Sequence, residues 1–248
     1  MMREKKIIRY ALVAALAFGF GMRVWNLAGP DMAVDDALYS LRSIGYVDYV
    51  AATNRQTTPV IWFSELQWWQ RLSFHDGPPL GFLVQWLSFQ IGGDNLLAAR
   101  LPFVAAGVAS IAAVFLLGRL IGGAWVGIAS VGAMAVMNYA VWFSRIGNLD
   151  GFLVPWITLS IYFFLKAKER PANYVWWGAC VGAGLATKYT FLFLGPPFAV
   201  MLAVWHRGAF RQRWFWAGCA VLLLLVSPII VYNVMMWQAR GHPDAALS

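Results

Sequence analysis

Four polar groups interrupt this apolar chain with residue types that do chemistry: Asp35-Asp36, His75-Asp76, Arg145 with Asp150, and Lys188. A carboxylate placed beside a hydroxyl or amine can take its proton, while Arg and Lys can hold an anion, Arg by paired hydrogen bonds and Lys as a point charge. A histidine beside acids is also a metal-ligand type, but one His with acids at no diagnostic spacing is a weak metal signal. Charge within an apolar stretch is costly, so such groups tend to be paired or functional. Lys188 is the hardest to dismiss, because it lies inside GLATKYTFLFL.

Each group also has a plain structural reading. Adjacent acids such as Asp35-Asp36 suit a helix N-cap with a solvated neighbour, and Asp150 suits a cap as well. His75-Asp76-Gly77-Pro78-Pro79 reads as a turn before a helix. Arg145 suits an interfacial anchor, and a snorkelling stem accounts for a lysine such as Lys188. The segment FSELQWW (Phe63–Trp69) reads equally as an amphipathic interfacial helix or as a platform on which a sugar could stack.

The elements that must position these groups are transmembrane helices. The chain has 248 residues, 60% hydrophobic and only 12% charged, with a mean hydropathy of +0.61. That composition cannot cover a soluble domain of this length with a charged surface. In hydrocarbon the long apolar runs must satisfy their own backbone hydrogen bonds as helices. The expected fold is an all-α polytopic bundle of about seven spans, at about 7–27, 98–117, 124–143, 150–165, 174–187, 190–205 and 214–236. A long loop at about 29–97 carries short interfacial helices. The basic start followed by an apolar run lacks a convincing small-x-small cleavage site and reads as an uncleaved first span.

Charge sets the orientation. Placing the N-terminus, Arg119, Lys166–Asn173 and His206–Arg213 on one side gathers 11 cations against Glu4 and Glu169 alone. The other side holds 8 cations and 9 carboxylates. By the positive-inside rule the first set is cytoplasmic, and the four polar groups share the outer face. The net charge of +8 is then an orientation signal, with no call for nucleic acid. Cys180 and Cys219 lie in apolar stretches, which argues against a disulfide framework.

In these residues the sequence resembles the GT-C glycosyltransferases that use polyprenyl-phosphate-linked sugars, the protein O-mannosyltransferase and lipid A aminoarabinose transferase group. Asp35-Asp36-Ala37-Leu38-Tyr39 resembles the acidic D-E-x-x-Y pattern of the first loop, with Asp36 where Glu is usual. His75-Asp76-Gly77-Pro78-Pro79-Leu80 resembles H-P-P-L with an inserted Asp-Gly. Gly93-Asp94 through Arg100-Leu101-Pro102 resembles the entry to the second span. Ser144-Arg145…Asp150 and Gly184-Leu-Ala-Thr-Lys188-Tyr189 match later pieces in family order. Members continue with further spans, so the resemblance covers the N-terminal half of such an enzyme, and a fragment, a truncated or partial enzyme, or a short relative is expected.

The resemblance implies sugar transfer from a polyprenyl-phosphate donor to a lipid, glycan or protein acceptor at the outer face of the cell membrane. Asp36 is the expected base, with Asp35 second; on a helix the two point about 100° apart and are not interchangeable. Arg145 and Lys188 are expected to bind the phosphate, with His75, Asp76, Asp150, Tyr39 and Arg100 completing the substrate site. No cofactor is required, though a divalent metal could assist. Two other classes compete. A transporter or flippase would also want membrane cations and broken helices such as Gly195-Pro196-Pro197, but no inverted repeat is visible. A non-catalytic membrane subunit is the third.

Overall fold

The computed structural model describes residues 2–32, 34–44, 67–74 and 77–243. Their helices are α1 (Met2–Val24), α2 (Val34–Ile44), α3 (Leu80–Gly92), α4 (Leu96–Val136), α5 (Asn138–Phe143), α6 (Leu149–Lys166), α7 (Asn173–Thr187), α8 (Gly195–Val204) and α9 (Arg213–Arg240). Among the described residues the only β pairing is the isolated bridge between Phe74 and Gly77. The all-α bundle expected from composition is therefore the fold. Four helices, Lys6–Val24 within α1 together with α4, α6 and α9, are long and apolar enough to cross a membrane.

Helix α4 consists of two helical limbs that meet at Gly123. Gly123 adopts φ 83°, ψ −176°, a conformation open to glycine because it has no Cβ. The chain doubles back there. A Cβ on Gly118 would stand only 3.1 Å from the Cα of Gly127, so glycine on both limbs permits this closeness. Ile111 and Phe115 of the first limb then bury against Val131 and Ala135 of the second.

A second reversal follows α7. Lys188 is extended (φ −159°, ψ 137°), a 3-10 turn runs over Tyr189–Leu194, and α8 returns alongside α7. Phe198 of α8 packs on Trp177 of α7 and Phe164 of α6. At the foot of this hairpin the Tyr174 hydroxyl meets Nδ1 of His206 at 2.7 Å. Helices α7 and α9 approach at backbone distance, with Gly178 against the Gly218 carbonyl and Gly182 against Leu222 and Leu225. Small residues at four-residue spacing allow such contact between apolar helices, where dispersion replaces the hydrophobic effect as the main attraction.

The helix directions put Val24, Leu96, Leu149, Thr187 and Arg240 toward one end of the bundle. The basic segments around Arg119, Lys166–Arg170 and Arg207–Arg213 gather at the other.

Candidate active site

Helix α2 is the platform of the site, and buried polar contacts join the packing of Tyr39 and Ile44 in docking it. Asp36, Ser40 and Ser43 recur at helical spacing and are all buried. Ser43 donates to Gln85 Oε1 at 2.6 Å, and Gln85 Nε2 donates to Ser40 Oγ at 3.0 Å and to the Ala99 carbonyl at 2.9 Å. These bonds clamp α2 to α3 and to the start of α4.

The two adjacent acids part company on this helix. Asp36 is fully buried and sits 2.7 Å from Nη2 of Arg100, itself 1% exposed, while Nε of the same arginine donates to it at 2.8 Å. Arg100 spends its remaining bonds on the carbonyls of Leu27, Pro30 and Asp31. The other Asp36 oxygen accepts from the Gly147 backbone at 2.9 Å. A Cβ at position 147 would stand 2.5 Å from that oxygen, so glycine lets the backbone close on the acid. Asp36, expected as the base, is thus buried and held on both oxygens.

Asp35 is exposed, and one of its oxygens accepts from Asn148 Nδ2 at 3.1 Å. Asn148 is the N-cap of α6, its side-chain oxygen accepting from the Asp150 backbone at 2.8 Å. Asp150 in turn pairs with Lys188 at 2.7 Å. A contact path therefore runs from Asp35 through Asn148 and Asp150 to Lys188. Asn148, Gly147 and Gln85 join the site without having been expected from the sequence. An Asn immediately before Leu149-Asp150 is the cap signal that could have found the first.

Beside this path lies a chamber of about 450 Å³, lined among others by Tyr39, Arg42, Phe82, Leu149, Lys188 and Tyr189. Tyr39 meets Phe82 edge-on at 5.6 Å, and the Arg42 guanidinium lies 5.9 Å above the same ring. Arg145 does not join Lys188. It donates to the Trp25 carbonyl at 2.6 Å and lines a separate cavity of about 340 Å³ with Pro30, Asp31 and Trp142. Arg100 also borders that second cavity, whereas Leu149, four residues after Arg145, borders the first. His75 and Asp76 lie outside the described residues. Among the described residues no three of His, Cys, Asp and Glu gather as a metal site would need.

Long apolar helices that bring carboxylates and cations together at one end define a polytopic membrane protein with a polar site at the bundle's rim. The dolichyl-phosphate-mannose-protein mannosyltransferase family matches residues 76–232, and the chain belongs to that family. It is a membrane glycosyltransferase of the GT-C kind. No curated protein and no solved structure matches the chain. The matched stretch includes Arg100, Arg145, Asp150 and Lys188, while the Asp35-Asp36 pair precedes it.

Proposed function

We propose that the protein moves a sugar from a polyprenyl-phosphate donor to a lipid, glycan or protein acceptor at the outer face of the cell membrane, with Asp35 as the base. The observation that carries this reading is the division of labour on α2, where Asp36 is locked against Arg100 and the neighbouring Asp35 is exposed and linked through Asn148 and Asp150 to Lys188 of the chamber. The acceptor oxygen or nitrogen attacks the anomeric carbon and gives its proton to Asp35. The bond from that carbon to the phosphate oxygen breaks, and its electron pair leaves with the lipid phosphate. Lys188 holds the departing phosphate, with Asp150 fixing its ammonium. Such a donor is already activated, so this reading asks for neither a nucleotide nor an obligatory metal.

The roles therefore shift from those suggested by resemblance. Asp36 and Arg100 build the platform, and Arg145 ties the loop before α6 to the end of α1. The full chain in detergent, given a radiolabelled sugar on a polyprenyl phosphate, is expected to pass label to an acceptor, and to pass none from the same sugar on a nucleotide diphosphate. Transfer from the nucleotide sugar alone overturns the donor class.

Orientation has its own test. With the basic end cytoplasmic, a thiol reagent that cannot cross the membrane should reach Asp94→Cys in intact cells and miss Arg207→Cys. Labelling of Arg207→Cys from outside reverses the topology and moves the reaction to the other face.

A further inference from the structure

We propose that Arg42 is the second cation of the donor-phosphate site and that the donor's lipid leaves the chamber along the apolar groove beside α9; this rests on the chamber being the donor site. Asp35, Leu38, Tyr39 and Arg42 fall on one stripe of α2, at i, i+3, i+4 and i+7, next to the buried Asp36, Ser40 and Ser43. Leu38, Tyr39 and Arg42 all line the chamber, and so does Lys188, which follows α7. Two helical turns, about 10 Å along the axis, separate Asp35 from Arg42. One rigid helix thus carries a proton acceptor at its start and a guanidinium near its end. An arginine in a last turn also suits the helix dipole, but that accounts neither for its place in the chamber nor for its position over Phe82.

The chemistry supplies a reason for two cations. A polyprenyl phosphate carrying a sugar is a diester with one negative charge. When the sugar departs it becomes a monoester, and a second charge develops on the leaving oxygens. Lys188 alone is partly neutralised by Asp150 at 2.7 Å. Arg42 and Lys188 are the only charged residues among the described ones lining the chamber.

An almost wholly apolar groove of about 490 Å³ shares Tyr189 and Leu192 with the chamber. It continues along α9 from Val226 to Trp237, about 16 Å at the helical rise. A phosphate seated between Arg42 and Lys188 therefore has an apolar exit for its tail along α9.

The test is equilibrium binding of radiolabelled polyprenyl phosphate to the full chain in mixed micelles, with polyprenol and inorganic phosphate as comparison probes. Arg42→Ala is expected to weaken polyprenyl phosphate binding roughly ten- to hundredfold, with Arg42→Lys recovering part of the loss and polyprenol binding unchanged. Ile230→Trp, which narrows the groove, should weaken both lipid probes. If Lys188→Ala loses binding while Arg42→Ala keeps it, the role of Arg42 is wrong and the chamber reading stands. If both variants bind as the parent does, the chamber is not the donor site. Inorganic phosphate competing at concentrations equal to the lipid would make this a plain anion site, and undiminished binding to Ile230→Trp would remove the groove.

Discussion

Asp35→Asn is expected to lower sugar transfer by about 10²–10⁴-fold while leaving donor binding nearly unchanged. Asparagine keeps the shape of the side chain but cannot take the acceptor's proton. The effect is expected at Asp35 because its carboxylate is exposed and, among the described residues, bonds Asn148, whereas both oxygens of Asp36 are occupied by Arg100 and the Gly147 backbone. Single-turnover assays with saturating donor separate the chemical step from binding. A variant that loses donor affinity in proportion to turnover would place Asp35 in binding instead. Full turnover in Asp35→Asn, with a folded but inactive Asp36→Asn, would return the base to the buried acid and remove the argument from burial.

The second large effect concerns stability. Arg100→Ala leaves the Asp36 carboxylate buried without its cation, and frees the carbonyls of Leu27, Pro30 and Asp31 as well. Breaking one half of a buried pair costs roughly 3–5 kcal/mol, on the order of 10 °C in the apparent thermal midpoint. Arg100→Lys should rescue little, because an ammonium cannot reach a carboxylate and three carbonyls at once. The double replacement Asp36→Leu with Arg100→Met should regain much of the lost midpoint, since it removes both charges together. Thermal unfolding in detergent, followed by tryptophan fluorescence, reads all three. An Arg100→Ala protein as stable as the parent would mean that water already reaches the pair.

The helical class was legible because it follows from bulk properties: apolar runs in hydrocarbon have few ways to satisfy their backbones. The family was legible because its motifs are local in sequence. Which of the two acids is buried was not. A helical offset of about 100° says that Asp35 and Asp36 differ but not which one is buried, and that choice is made by Arg100, 64 positions away. Arg145 reads as a phosphate ligand because it is a cation at the end of an apolar run, and the sequence does not announce that it also bonds the carbonyls just after α1. Arg42 drew no attention, although its place seven residues after Asp35, with Tyr39 between, was a readable stripe. The link between Gln85 and the two serines had no sequence signature, since nothing local in either segment announces the other.

The buried serines of α2 have a consequence for handling the protein. This helix is inside out by the standards of a protein in water: Ser40 and Ser43 face inward on Gln85, and Leu41 is 55% exposed. Its proper solvent is therefore the acyl boundary of a bilayer, where nothing competes for those hydroxyls. In a thin or highly hydrated micelle, water can replace Gln85 at each of them at little cost. The platform should then come loose while α6, α7 and α9, joined by aromatic and glycine contacts, stay assembled. An extract can keep its helix content and still lose its chemistry, and returning lipid would restore the activity without refolding the chain.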